Sequence, residues 1–216
     1  MVEAAGYLAY FFYAFASVFI IVNPVEATMV FISLTPGAAA GERARISLRA
    51  ATVALFIALL FAITGDYVLR FFGATVDSLR VAGGILLFIM AMDMLKARPR
   101  RKVTEAEMED ASDREDVSVF PLATPLLTGP GAITTVIVLM GTAAGPVEKG
   151  VVLLAITATF AAAYLILRSS EYVDRIFGVT GILVMTRIMG LMLGAIAVNF
   201  VAVGAWNIYA AMAGIS

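Results

Sequence analysis

The sequence predicts an all-α integral membrane protein: six transmembrane helices in two inverted three-helix repeats, with helices one and four broken near the midplane. Three observations point there. The first is composition: 62% of the 216 residues are hydrophobic and 14% charged, with a mean hydropathy of +0.97. A soluble domain is about half apolar and about a quarter charged. The second is that five or six apolar runs fill almost the whole chain, each near the ~20 residues that cross a ~30 Å hydrocarbon core. The third is a proline-broken apolar run that occurs twice, as Asn23-Pro24 and as Gly129-Pro130-Gly131. Because the runs are continuous and do not alternate with polar residues, a β-barrel is excluded.

Spans are expected at 5–33, 46–64, 77–96, 119–142, 148–168 and 183–210. The first is long. At ~1.5 Å per residue it would extend roughly 43 Å, so it tilts strongly or is interrupted near Pro24. It is not expected to be a cleaved secretory signal: Ala14-Phe15-Ala16 resembles a cleavage site, but the start carries Glu3 and no Lys or Arg, and the apolar run continues past Ala16. The third span carries Gly83-Gly84 and the sixth Gly190 and Gly194, which read as close helix packing, as do Ala155, Ala158 and Ala162 of the fifth. The fourth packs Pro121, Pro125, Gly129, Pro130 and Gly131 into eleven residues, and no continuous helix is expected through 125–131. The start of the sixth is blurred by the apolar stretch 177–185.

One transmembrane domain, 1–216, is expected, with repeat one at 1–96, a cytoplasmic linker at 97–118 and repeat two at 119–216. Pro24 overlays Pro130, Thr28 overlays Thr134 and Val30 overlays Val136 at an offset of 106, while Arg80 and Gly83 overlay Arg187 and Gly190 at 107. Three spans per half is an odd number, so the second half enters from the opposite face.

Charge fixes the expected orientation. Arg43, Arg45, Arg49, Lys96, Arg98, Arg100, Arg101, Lys102, Arg114, Arg168, Arg175 and Arg187 fall on one side, against Arg70, Arg80 and Lys149 on the other. That bias places both termini outside the cytoplasmic membrane. Tyr7, Tyr10, Tyr67, Trp206 and Tyr209 then fall near the outer interface, where amphipathic rings are favoured. The 98–117 loop, basic then acidic, reads as a solvated connector that sets topology, or as a contact for anionic lipid or a regulator.

With no Cys and no His, disulfides, thiolate chemistry, His-ligated metals and His bases are absent. A membrane-embedded enzyme would rely on Asp, Glu, Lys, Ser or Tyr, and Asp66 and Asp93 are expected near opposite faces. No enzymatic activity, cofactor, metal or nucleic-acid partner is expected, and oligomeric state is not readable.

A proline inside a span frees backbone polar groups, which are tolerated only where protein or a water-filled cavity satisfies them. The half-helix that starts after the break points its N–H groups and positive dipole end at that cavity. A simple kink is the alternative for either proline alone; matched breaks in two halves point to a substrate site. The expected substrate-binding residues are Asn23, Pro24, Thr28, Pro125, Thr128, Gly129, Pro130, Gly131, Ala132, Thr134 and Asn199. Glycine there lets a ligand approach the main chain. An α-carboxylate suits the N–H groups, unwound carbonyls suit an α-ammonium, and a small side chain fits the space.

The segment PLATPLLTGPGAITT, with VNP in the first span and LRVAGGILLFIMAMDML in the third, resembles the MarC/SnatA family over nearly the whole chain. The resemblance implies six spans in two inverted repeats. It also implies transport of small neutral amino acids such as glycine, alanine and serine, coupled to the proton gradient. Asn23, Pro24, Pro121, Pro125, Gly129, Pro130, Gly131 and Ala132 match its motifs. Where many members read N-P-x-G-N-x-P, this chain carries Glu26, Ala27 and Met29.

Glu26 therefore has two readings: a proton acceptor or ammonium partner facing the cavity, or a solvated carboxylate near an interface. Asp93 reads as a helix-surface pair with Lys96, with a transport role as the weaker option. Arg80 and Arg187 read as interfacial, with gating as the alternative; Asn199 either faces the pocket or bonds a neighbouring helix. The competing function class is a passive channel or exporter for another small solute.

Overall fold

The computed structural model describes residues 2–96 and 118–215. The expected linker, including Arg98, Arg100, Arg101, Lys102 and Arg114, lies outside the described residues apart from its last position. Helices α1 (Val2–Val22), α2 (Pro24–Leu34), α3 (Ala40–Phe71) and α4 (Val76–Leu95) precede it. A wound segment, Ser118–Leu127, then leads into α5 (Pro130–Thr142), α6 (Pro146–Arg168) and α7 (Ser170–Ala213). No strand occurs among the described residues. Five spans are long and apolar enough to cross a membrane, α1 and α2 counting as one, or six with the wound segment joined to α5, to which it is bent by 59°.

Two expected boundaries are corrected. The second span does not stop at 46 and 64: α3 runs Ala40–Phe71, because Glu42, Arg43 and Arg45 are adequate helix formers at one end and helical hydrogen bonding continues through Gly65 and Asp66 at the other. The stretch between the expected fifth and sixth spans, 169–182, is helical from Ser170 onward. Chain direction changes within α7 at Gly178, whose φ of 55° and ψ of −178° only glycine adopts readily.

Small residues set the helix spacing. Ala50, Ala54, Ala58 and Ala62 line the buried face of α3, which packs on α5 and α6. α4 and α7 form the most extensive helix pair. A Cβ on Gly84 would sit 2.9 Å from the Ala197 carbonyl oxygen, and one on Gly190 would sit 2.9 Å from Met94 Cβ and 3.2 Å from the Ala91 oxygen. Such approach is the usual basis of helix association in lipid, where apolar surface gives no preference for protein over acyl chain. Asp77 at the start of α4 accepts a 2.9 Å hydrogen bond from the Asn207 amide near the end of α7. Gly190→Val is expected to destabilise the bundle by about 1–3 kcal/mol, read as a lower unfolding temperature in detergent; an unchanged temperature would remove this contact from the account.

Candidate functional site

The chain leaves helical geometry at both sequence breaks, in different ways. At the first, Asn23 adopts φ 47° and ψ 61°, a left-handed conformation that asparagine tolerates better than most residues. Its amide closes α1 by donating to the Phe19 carbonyl oxygen at 2.9 Å. Pro24 then begins α2, a position where a missing N–H costs nothing. The Asn23 side chain faces forward over the new helix: Oδ1 accepts from the Glu26 N–H at 3.5 Å, and Nδ2 donates to Glu26 Oε2 at 2.6 Å. The half-buried Glu26 carboxylate thus folds back onto the positive end of α2, where a negative charge is favoured.

The second break has no such cover. Within the wound segment Phe120 and Thr124 are extended, and the Phe120–Pro121 and Thr124–Pro125 peptides are cis. The Thr128 N–H returns to the Ala123 carbonyl oxygen at 2.9 Å. α5 starts at Pro130 behind Gly129, with no side chain capping it. The first-turn donors of a helix have no partner inside the helix, and here those groups belong to Gly131 and Ala132.

This uncapped start borders a cavity of 260 Å³. Pro121, Pro125, Leu126, Leu127, Gly129, Pro130 and Ala132 supply one side of its wall. Ile21 of α1, Val30 of α2, and Leu86 and Met90 of α4 supply the other. Four of the sequence-derived site residues therefore share the wall: Pro125, Gly129, Pro130 and Ala132. Gly131 lies behind it, where a Cβ would sit 2.9 Å from Leu87 Cδ2.

The remaining candidates lie elsewhere. Asn23, Pro24, Thr28, Thr128 and Thr134 are buried off the wall. Thr28 donates to the Val25 carbonyl oxygen at 2.6 Å, and Thr128 donates to that of Ala54 at 3.1 Å. Thr134 packs against Gly83, where an added Cβ would meet Thr134 Cγ2. Asn199 lies on the exposed face of α7, outside the wall. Ile21, Leu86 and Met90 were invisible to sequence reasoning, and Val30 entered only by its overlay on Val136, since an apolar residue in a membrane helix carries no mark of which way it faces. No group of three or more His, Cys, Asp or Glu suited to a metal ion occurs among the described residues.

A second feature joins the ends of α2, α3 and α7. Arg43, with a side chain only 13% exposed, pairs with the carboxylate of Glu171. The same guanidinium donates to the Thr35 carbonyl oxygen at 3.1 Å. It therefore ties the α2–α3 junction to the start of α7, across 128 residues of sequence.

Comparison with known proteins finds membrane proteins similar over nearly the whole chain. A UPF0056 membrane protein of Methanocaldococcus jannaschii is 43% identical over 198 residues, covering 91% of this chain and 96% of the relative. The Escherichia coli UPF0056 membrane protein YhcE is 36% identical over 201 residues, covering 92% and 93%. The Bacillus subtilis counterpart YvbG is 33% identical over 194 residues, covering 89% and 92%. No solved structure matches. The family model described as MarC family integral membrane protein matches residues 8–209, and the chain belongs to that family.

Proposed function

We propose that this protein is a secondary transporter of small neutral amino acids, driven by protons and working by alternating access, rather than an enzyme. The observation that carries the reading is the contrast between the two half-helix starts. That of α2 is occupied by the chain's own Glu26, whereas that of α5 is uncapped and borders a cavity. A substrate carboxylate takes at α5 the place that Glu26 takes at α2. The cavity, at 260 Å³, is below the roughly 300–1,000 Å³ of pockets that take drug-sized ligands. Its apolar wall suits hydrogen, methyl or hydroxymethyl side chains.

The inverted repeat is part of the proposal, with both breaks near the midplane. α1 packs on α6 as the wound segment packs on α3, and α2 packs on α7 as α5 packs on α4. These two pairings have their counterparts when the halves are exchanged, while α3–α6 and α4–α7 map onto themselves. The excess of Arg and Lys around the α2–α3 and α6–α7 junctions supports placing those junctions in the cytoplasm and both termini outside. The Arg43–Glu171 pair then closes the cytoplasmic end, and rocking of the repeats requires it to part.

The test is radiolabelled glycine uptake into proteoliposomes with and without an inward proton gradient. Gradient-stimulated uptake, competed by alanine and serine, is expected. Gradient-insensitive equilibration would make the protein a passive channel, and no uptake would discard the substrate class.

A further inference from the structure

A second cavity is larger than the one beside Gly129. A space of 720 Å³ opens where the end of α3, the start of α4, the end of α5 and the start of α6 meet. Its wall carries Asp66, Arg70 and Lys149, with Ile137, Met140 and Gly141 of α5 beneath them. Asp66 and Arg70 are paired at 3.0 Å, with side chains 39% and 76% exposed. On the proposed orientation the outer face has Arg70, Arg80 and Lys149 as its cations. Arg80 lies over the Phe200 ring, 5.5 Å from its centroid; the other two line this cavity. Interfacial arginines and lysines ordinarily snorkel singly towards headgroups. Two cations on one concave wall, one of them paired with a carboxylate of the same wall, form instead a surface complementary to a zwitterion.

We infer that this cavity is the extracytoplasmic receiving site for the amino acid, Arg70 and Lys149 facing its carboxylate and Asp66 its ammonium. The inference rests on the transport reading above. α5 supplies the physical link: Pro130 and Ala132 in its first turn line the inner cavity, and Ile137, Met140 and Gly141 line this one, roughly 8–17 Å further along the helix axis. Along this stretch the helix is tightly seated. A Cβ on Gly65 would overlap Ile137, and one on Gly83 would overlap Thr134, so the two spaces are separated by packing that must loosen for substrate to pass.

The experiment measures KM and Vmax for glycine uptake from each face of the membrane. Because the chain has no cysteine, a single Phe71→Cys, at 84% exposure, reports orientation through an impermeant maleimide. Arg70→Gln or Lys149→Gln is expected to raise KM about threefold, and the double variant about tenfold, for substrate offered on that face. Vmax and the KM from the opposite face should stay near wild type, and Lys149→Arg should restore binding. Raised ionic strength should weaken the wild type more than the double variant. Active wild type with unchanged KM in the double variant overturns the receiving site and leaves transport standing. A wild type that moves no amino acid overturns both.

Discussion

Gly129→Ala is expected to lower glycine uptake by about 100-fold while the protein still inserts and folds. The backbone there is ordinary, with φ −80° and ψ 176°, so alanine meets no conformational barrier. Its Cβ, however, would sit 2.8 Å from the Pro125 carbonyl oxygen. A backbone atom in a segment held by Thr128 N–H to Ala123 at 2.9 Å cannot step aside as a side chain does. Relief comes only by moving the wound segment or the first turn of α5, and those are two walls of the cavity. Gly131→Ala gives the contrast: its Cβ would meet Leu87 Cδ2 at 2.9 Å and Met90 Sδ at 3.2 Å, both on flexible side chains. A loss of about threefold is expected there, from repacking of roughly 0.6 kcal/mol. Equal and unimpaired uptake in both variants would remove substrate from this cavity.

The second large effect concerns Glu26. Its carboxylate receives the Asn23 amide at 2.6 Å and lies over the start of α2, where its charge is favoured. If Glu26 is the group that exchanges the coupling proton, Glu26→Gln should leave downhill exchange of glycine largely intact. Accumulation driven by an inward proton gradient should fall by at least about tenfold. Asn23→Gly is the companion variant. It keeps the left-handed turn, which glycine adopts freely, but removes both side-chain bonds to Glu26, and it should shift the pH dependence of uptake without abolishing it. A Glu26→Gln protein with unaltered gradient response would reduce Glu26 to a helix cap.

Much of this was legible in the sequence for one physical reason. Proline and glycine act on the backbone, so Asn23-Pro24 and Gly129-Pro130-Gly131 announce their departures from helix whatever surrounds them. The same holds for Gly84 and Gly190, whose close approach follows from having no side chain. Helix ends were less legible: hydropathy marks where hydrocarbon would stop, whereas α3 continues through Glu42, Arg43 and Arg45 because its hydrogen bonds do. Orientation about the helix axis was hardest. In a soluble protein the buried face is apolar and the outer face polar. In α4 and α7 both faces are apolar, so Leu86 and Met90 at the cavity look like Phe88 and Ile89 on the exposed surface. Thr28 and Thr128 are ambiguous in sequence for a related reason: a hydroxyl in a membrane helix can be satisfied by a nearby carbonyl oxygen, as both are here.

The pairing of α4 with α7 bears on how the chain is made. Each of α1, α2, α3 and α4 has its most extensive packing with a helix of the second half. The first four therefore enter the bilayer before the surfaces they fit exist. From the end of α4 at Leu95 to the end of α7 at Ala213, synthesis at ~5–20 residues per second takes roughly 6–24 s. During that interval Gly83 and Gly84 face lipid or the insertion machinery rather than Thr134 and Ala197. The N-terminal half is thus a biosynthetic intermediate rather than a folding unit, and the bundle locks only when the last helix arrives.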